Sequence, residues 1–228
     1  LPVLKAGRFA GRTVTGKFIH GTDIHSLERQ YNQGVLAIDE GVGKLIKALK
    51  ETGQYDNTLI VFGADQGIAW GQKGFQMKLA PYDGTIRGPL IVSMPKKLPS
   101  GKVCPKPVGG ADLVPTFFST AGLKLPWKMH GRDLTPLLEQ PERKDWKSPL
   151  LLAHTGMSFG EDCDEVIDMK DDPIYQKQRV PWWVSLRTDR YKYIRNLLPG
   201  ETEELYDMKK DPDELVNLAM EDKHLRLL

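Results

Sequence analysis

An uninterrupted apolar run, Leu59-Ile60-Val61-Phe62, stands out in the pattern of hydrophobic and polar positions along the chain. Consecutive apolar residues are typical of a strand in a parallel sheet, because such a strand is buried on both faces. We therefore predict a parallel strand over residues 58–62 and a second strand over residues 89–94. The intervening residues, 63–88, are polar and glycine-rich, and we predict a long loop there.

A helix is predicted immediately before this first strand. Apolar residues recur at helical spacing over residues 27–52, with Ser26 as a possible N-cap and Gly53 at the C′ position. A second helix is predicted over residues 111–121, with Asp112 in its first turn. The resulting order of helix, strand, loop, strand and helix indicates an α/β fold that contains part of a doubly wound sheet.

The pattern changes to period two in the last third of the chain, which is typical of half-buried strands. We predict a small antiparallel sheet plus a helix there. Its elements are strands over residues 150–154, 182–187, 191–195 and 203–207 and a closing helix over residues 212–228. We place the boundary between the two domains near residue 145, so that the predicted domains are residues 1–145 and 146–228.

Composition narrows the class of protein only slightly. The 228 residues carry a formal net charge of +2, with 40% hydrophobic and 27% charged residues. This balance is ordinary for a globular chain and gives no case for nucleic acid as a partner. No apolar run is long enough for a membrane-spanning helix, so we expect no membrane partner. Two cysteines do not make a disulfide framework.

The end of the first strand offers the strongest candidate chemistry. Ligands of open α/β sheets bind beyond the carboxyl ends of the strands, where this sequence places Asp65 and Gln66. A carboxylate and an amide oxygen are hard ligands that suit Ca²⁺ or Mg²⁺. The loop that follows carries Lys73, Lys78 and Arg87, which could hold an anion against such a metal. The alternative is a solvated strand-end carboxylate followed by ordinary surface lysines.

The segment contains, in this order, Ala64-Asp65-Gln66-Gly67, Gly71-Gln72-Lys73-Gly74, Lys78, Tyr82-Asp83 and Arg87-Gly88-Pro89-Leu90-Ile91. In their order and spacing these pieces resemble the sulfatase family within the alkaline phosphatase superfamily. Two residues depart from the family pattern: Lys73 stands where His is commoner, and Asp83 stands where Glu is commoner. The resemblance continues over nearly the whole chain, in residues 38–43, 53–58, 111–116, 129–134, 187–194, 204–207 and 211–212.

The resemblance implies a role for each residue of the strand-end segment. Asp65 and Gln66 are expected to be two ligands of a single divalent cation, usually calcium, with Mg²⁺ possible. Lys78 is expected to bind the sulfate group and to stabilise charge on the leaving oxygen, which makes it both a substrate-binding and a catalytic residue. Lys73 is a weaker substrate-binding candidate. Arg87 is expected to be structural, through an ion pair with the segment that contains Asp83.

Other residues are assigned less firmly. The family places a histidine before the first helix, to hydrogen-bond the sulfate or to protonate the leaving alcohol. His20 and His25 both stay open as this catalytic residue, with a slight preference for His20 because it lies upstream. Trp182 and Trp183 could form a sugar-stacking platform, although adjacent strand residues point to opposite faces, so one of them should belong to the core.

The family's nucleophile has no counterpart in this sequence. It is a Cys or Ser in a C/S-x-P/A-S/x-R motif, which is converted to formylglycine. Neither Cys104, in Val-Cys-Pro-Lys-Pro, nor Cys163 has the accompanying Ser-Arg. The chain begins at Leu1 without an initiator methionine. We therefore interpret it as a C-terminal portion whose partner is the N-terminal half of the same protein, which would supply the formylglycine and further carboxylates.

The implied function is hydrolysis of a sulfate ester on a sulfated small molecule or sulfated glycan, in the periplasm or after secretion. One alternative is a phosphate or phosphonate ester hydrolase of the same superfamily, although such enzymes more often carry a second metal with extra Asp and His ligands. Gln66, in place of a histidine, favours the one-metal sulfatase site. A second alternative is a sulfatase-like fragment without catalytic activity, which the missing nucleophile supports.

Overall fold

The computed structural model describes residues 9, 11, 23–76, 78–158, 163 and 171–220. Its contacts divide the chain into two compact units. The two-stranded unit consists of Thr15–Asp65 and Gly88–Trp146, and the four-stranded unit consists of Leu1–Val14, Gln66–Arg87 and Lys147–Leu228. The predicted domains, 1–145 and 146–228, stay a prediction, and the contact units differ from them in grouping Gln66–Arg87 with the C-terminal residues.

The two-stranded unit begins with helix α1, Ile24–Glu51. The N-cap is Asp23, whose carboxylate accepts a hydrogen bond from the Ser26 backbone N–H at 2.9 Å. The prediction of Ser26 as the cap was therefore wrong by three residues, because Asp23 already satisfies an N-terminal donor of the helix. The helix ends at Thr52, and Gly53 follows with a φ of +70°, as predicted for a C′ glycine.

The two strands of this unit are β1, Ile60–Gly63, and β2, Leu90–Ser93. They pair antiparallel, with Ile60 opposite Ser93 and Gly63 opposite Leu90. The sequence indicated a parallel strand, but β2 is the neighbour that β1 has among the described residues. Apolar side chains of both strands, including Phe62 and Ile91, are exposed, so the apolar run of β1 is not buried by the described part of the chain.

Helix α3, Leu113–Thr120, follows a short 3₁₀ turn and confirms the predicted second helix. Asp112 at its start is buried and binds Arg132, whose Nη2 donates to Asp112 Oδ2 at 2.6 Å and whose backbone N–H donates to Oδ1 at 2.7 Å. Burial opposes ionisation of Asp112, but the hydrogen bonds from Arg132 and Gly109 outweigh it and lower the pKa of this carboxyl. Helix α4, Thr135–Glu139, comes directly after this anchored segment.

The four-stranded unit contains the predicted antiparallel sheet, in the order β3 (Leu150–His154), β4 (Trp183–Arg187), β5 (Tyr191–Asn196) and β6 (Glu204–Asp207). Each strand pairs antiparallel with its neighbour in the sequence, and the predicted α/β class is confirmed. The unit also contains the short helix α2, Asp83–Ile86, and helix α5, Pro173–Gln178.

The core of this unit is aromatic, and both predicted platform residues belong to the interior. Trp182 and Trp183 are only 1% and 3% exposed, so neither offers a ring for sugar stacking. Each indole N–H is used internally: that of Trp182 donates to Asp172 Oδ2 at 2.6 Å, and that of Trp183 donates to the Leu79 carbonyl at 2.7 Å. The surrounding apolar cluster comprises Phe9, Ala69, Phe75, Ala80, Tyr82, Val180, Trp183, Ile194, Tyr206 and Met208.

The predicted closing helix is absent from the described residues 212–217, which form turns. Asp211 Oδ2 accepts hydrogen bonds from the Leu215 and Val216 backbone N–H groups, each at 2.8 Å, and Glu214 has a φ of +52°. Side chains that bind nearby backbone N–H groups compete with helix formation. A short 3₁₀ turn follows at Leu218–Met220, and residues 221–228 lie outside the described part. The described helices include none with the length and apolar character needed to cross a membrane.

The loop of the four-stranded unit folds tightly upon itself at Gly67. A Cβ atom at this position would lie 2.7 Å from the Arg87 carbonyl oxygen and 3.1 Å from the Thr85 carbonyl carbon. Both are backbone atoms, so neither can rotate away as a side chain would. The beginning and the end of the loop Gln66–Arg87 are therefore in direct backbone contact.

We expect Gly67→Ala to destabilise the protein by about 1–3 kcal/mol, since the added methyl group forces backbone atoms apart. Gly84→Ala is the matched control, because its Cβ would meet only Gln72 Cβ at an ordinary 3.8 Å. Urea unfolding of both variants measures the effect. Equal stability of the two variants would contradict the close packing at Gly67.

Candidate functional site

The end of β1 presents the two predicted metal ligands. The Ala64 backbone N–H donates to the Pro89 carbonyl at 3.2 Å and extends the pairing of β1 and β2 by one residue. Asp65 follows with an exposed side chain, and Gln66 follows with a half-buried one. The two oxygen-bearing side chains therefore come directly after the strand, as the sequence predicts.

The chemistry of this pair fits part of a hard-cation site. A carboxylate oxygen and an amide oxygen are ligands that calcium and magnesium accept. The described residues contain no group of three or more His, Cys, Asp or Glu that could hold a metal ion. Calcium takes about six to eight oxygen ligands, so Asp65 and Gln66 would be a minority of its coordination shell.

Lys73 has a structural environment. Its side chain is buried, at 5% exposure for the residue, and its Nζ lies 3.0 Å from Glu214 Oε2. The same ammonium lies 4.6 Å from the centre of the Tyr82 ring, within the range of a cation–π contact. These contacts support a role in holding the loop, and the predicted substrate-binding role of Lys73 stays a prediction.

Glu214 links the Lys78-bearing loop, at Lys73 and at Asp83, to Lys192 of β5. Its Oε2 also accepts a hydrogen bond from the Asp83 backbone N–H at 2.8 Å, and its Oε1 accepts one from Lys192 Nζ at 2.6 Å. Lys192 Nζ in turn lies 2.8 Å from Asp83 Oδ1. We call these four residues, Lys73, Asp83, Lys192 and Glu214, the buried ion cluster. Two lysines and two carboxylates balance each other there.

The charge of Asp83 depends on this cluster. Burial favours the neutral carboxyl, but the ion pair with Lys192, together with Arg187 and Arg87, outweighs burial and lowers the pKa of Asp83. The sequence led us to expect an ion pair between Arg87 and this segment, and Arg87 does contribute to the lowered pKa of Asp83, after Lys192 and Arg187. Arg87 is exposed, and the hydrogen bond it gives to Asp83 runs from its backbone N–H to the Asp83 carbonyl at 2.9 Å.

A second buried carboxyl, Glu204, lies beside the cluster on β6. Tyr82 Oη donates to its Oε2 at 2.9 Å, and Tyr206 Oη donates to the same oxygen. Burial raises the pKa of Glu204, although hydrogen bonds from Tyr206, Tyr82 and Asn196 oppose this shift. Tyr82, which directly precedes Asp83, is therefore tied to the sheet as well.

Lys78 differs from Lys73 and Lys192, two other lysines of the same unit. Within the part of the chain that the structure describes, Lys73 and Lys192 have carboxylate partners and Lys78 has none. Its side chain is half-buried. The loop therefore uses Lys73 as an anchor, whereas Lys78 has no carboxylate partner among the described residues.

The structure describes one of the two candidate histidines, His25. His25 lies in the first turn of α1, where its side chain is 86% exposed and its Nδ1 lies 3.8 Å from Glu28 Oε2. His20 lies outside the described residues. His25 belongs to the two-stranded unit, whereas Lys78 belongs to the four-stranded unit.

Sequence reasoning missed Lys192, Glu204 and Glu214. One signal was available for Lys192, because it occupies an inward position of a period-two strand, on the same face as buried Ile194 and Asn196. A lysine on a buried face requires a carboxylate partner. No spacing in the sequence identifies that partner as Glu214, which lies 22 residues away in an irregular turn.

Comparison with known proteins identifies the family. A model of the sulfatase family matches residues 6–123, and a model described as N-sulphoglucosamine sulphohydrolase, C-terminal, matches residues 71–228. Each covers more than half of the chain, and together they include the strand end, the Lys78 loop and the whole antiparallel sheet.

Individual relatives agree with these matches. An N-acetylglucosamine-6-O-sulfatase of Bacteroides thetaiotaomicron is 29% identical over 205 residues, which are 89% of this chain and 34% of that protein. A protein solved in complex with its substrate D-glucosamine-2-N,6-O-disulfate superposes with a TM-score of 0.65 at 29% identity, over 85% of this chain and 36% of the other. A phosphonate monoester hydrolase from Silicibacter pomeroyi gives 0.64 at 29% identity, over 84% and 36%.

The chain spans about a third of the length of these relatives. The matched third includes the segment from Asp65 to Arg87, in which a strand-end oxygen pair is followed by a tightly anchored loop with a lysine. With two family models that each cover more than half of its length, this chain belongs to the sulfatase family of the alkaline phosphatase superfamily.

Proposed function

We propose that this chain forms the C-terminal part of a sulfatase, an enzyme that hydrolyses sulfate esters. The proposal depends most on Lys78, a half-buried lysine without a carboxylate partner among the described residues. It lies on a loop that the buried Glu214 carboxylate holds on both sides of Lys78, at Lys73 and at Asp83. A positive charge held on a rigid support is suited to bind an anionic group such as sulfate.

Asp65 and Gln66 are proposed to hold a divalent cation, calcium with magnesium as the alternative. When bound, the cation would neutralise charge on the sulfate group. The N-terminal half of the same protein is proposed to supply the remaining ligands and the formylglycine nucleophile. Membership of the sulfatase family and the hard oxygen donors of the pair support this assignment.

The remaining roles concern charge and protons. The Lys78 ammonium would bind a sulfate oxygen and stabilise the charge that develops on the leaving oxygen. His20 or His25 would protonate the leaving alcohol. For His25, the exposed position in the first turn of α1 leaves the imidazole accessible.

The proposed substrate is a sulfated small molecule or a sulfated glycan, and the proposed location is the periplasm or the exterior of the cell. The substrate is supported by the related protein in complex with a disulfated glucosamine. Extracellular sulfatases among the relatives support the location.

Phosphonate or phosphate ester hydrolysis is the second candidate, because a phosphonate monoester hydrolase is a structural neighbour at the same identity. Gln66 argues against it, since an amide replaces the histidine that two-metal enzymes of the superfamily carry.

A sulfatase-like fragment without catalytic activity is the third candidate. Assays of the complete protein on matched aryl sulfate and phenylphosphonate esters separate the three candidates, and we expect faster turnover of the sulfate.

Asp65→Ala in the complete protein should weaken calcium binding by more than about tenfold, because even residues that only support metal ligands contribute about 10–100-fold. Asp56→Ala removes an exposed carboxylate that is paired with Lys96 and should leave calcium affinity unchanged. Isothermal titration with calcium measures both. An unchanged affinity for Asp65→Ala would mean that this side chain is only a strand-end carboxylate.

Lys78→Ala in the complete protein should lower kcat/KM for a sulfate ester. The expected loss of transition-state stabilisation is about 2.7–4 kcal/mol, by analogy with a lost oxyanion donor. Lys78→Arg should recover part of this loss, since a planar guanidinium replaces a compact ammonium poorly. Lys209→Ala, an exposed lysine in the same unit, is the control. Similar small effects of Lys78→Ala and Lys209→Ala, with unchanged thermal melts, would exclude Lys78 from the site.

A further inference from the structure

The backbone that directly follows Lys78 is strained. Leu79 has a φ of +81°, in the left-handed region that bulky residues rarely adopt. Its side chain packs against the aromatic core, so the position is occupied by a residue that contributes to burial rather than by glycine. Strain of this kind persists only where surrounding contacts impose it, and it concentrates at functional sites.

Two side-chain donors impose this conformation. Trp183 Nε1 donates a hydrogen bond to the Leu79 carbonyl at 2.7 Å. The Thr85 hydroxyl donates to the next carbonyl, that of Ala80, and Thr85 is itself buried. The two carbonyls that follow Lys78, those of Leu79 and Ala80, therefore each accept a hydrogen bond from a side chain outside residues 78–82.

Trp183 is itself held rigidly. It begins β4, where it pairs with His154 of β3 on one side and with Asn196 of β5 on the other. Its ring is 3% exposed and packs near the His154 ring, with 6.0 Å between the ring centres. The indole N–H thus reaches Leu79 from a fixed point in the sheet.

We propose that Trp183 is a positioning residue for Lys78: its indole N–H holds the Leu79 carbonyl and so fixes the direction from which Lys78 approaches the sulfate group. This inference rests on the proposed role of Lys78. The hydrogen bond contributes beyond packing, because the same ring without its N–H would fill the same space and leave the strained carbonyl without this donor.

The neighbouring tryptophan provides a matched control. Trp182 is equally buried, and its indole N–H makes one internal hydrogen bond, to Asp172 Oδ2 at 2.6 Å. Trp182→Phe and Trp183→Phe therefore remove the same ring atoms and one hydrogen bond each. Only Trp183→Phe removes a contact to the backbone beside Lys78.

The test is a double-mutant cycle in the complete enzyme, with kcat and KM measured on one sulfate ester for Trp183→Phe, Lys78→Ala and the double variant. We expect Trp183→Phe to lower kcat/KM by at least about tenfold, since a displacement of about 1 Å can cost about a hundredfold. In the Lys78→Ala background the same change should have no further effect, because Trp183 acts through Lys78. Trp182→Phe should retain kcat/KM within about threefold of the unmutated enzyme.

Each outcome decides between the two proposals. A normal kcat/KM for Lys78→Ala overturns the proposed role of Lys78, and the inference falls with it. An impaired Lys78→Ala together with a normal Trp183→Phe overturns the inference alone. Two other results would also overturn the inference. One is a loss of kcat/KM on Trp183→Phe that persists fully in the Lys78→Ala background, and the other is an equal loss of kcat/KM in Trp182→Phe. Either result would indicate general destabilisation.

Replacement of Trp183 by benzothienylalanine keeps the test decisive if Trp183→Phe does not fold. This analogue has nearly the shape of tryptophan and a sulfur atom in place of the N–H. We expect it to retain the thermal stability of the sheet better than Trp183→Phe and to show the same loss of kcat/KM. Normal kcat/KM with the analogue would overturn the inference.

Discussion

The four-stranded unit is organised around one buried carboxylate, that of Glu214. Its two oxygens accept hydrogen bonds from Lys73, from Lys192 and from the Asp83 backbone N–H. A buried charge without partners is very costly, and removal of one member of a buried pair typically costs about 3–5 kcal/mol. Glu214 is fully buried, so loss of this carboxylate would remove the carboxylate partner of Lys73 and leave Lys192 with Asp83 alone.

The position of the Lys78 loop follows from this constraint. Glu214 holds the loop at two points, the Lys73 ammonium before Lys78 and the Asp83 backbone N–H after it. Between these points, Trp183 holds the Leu79 carbonyl, and Glu204 holds the Tyr82 side chain. The sheet therefore supports a loop whose backbone is strained at Leu79, and we propose that this support positions the Lys78 ammonium for an anion. The anchoring is part of the proposed site because it holds the loop that carries Lys78.

The sequence predicted the parts of the structure that depend on local pattern. Side-chain alternation and apolar runs predict the β4–β5 hairpin and strands β3 and β6. They also predict that Asp65 follows a strand. The sequence did not predict the features that depend on contacts between residues far apart in the chain. No local pattern shows that Lys73 is paired with Glu214, which lies 141 residues away. The residues before the C-terminal 3₁₀ turn looked helical, but Asp211 captures the backbone N–H groups that a helix would use.

Native-state hydrogen exchange at the Asp83 amide tests the central role of Glu214 most directly. This N–H donates to Glu214 Oε2 rather than to a regular strand or helix partner. If the buried ion cluster holds the loop to the sheet, the Asp83 amide should exchange only when the unit unfolds, with the same opening free energy as the slowest amides of β5. A much smaller opening free energy at Asp83 than in β5 would show that the loop detaches on its own, and it would contradict this account.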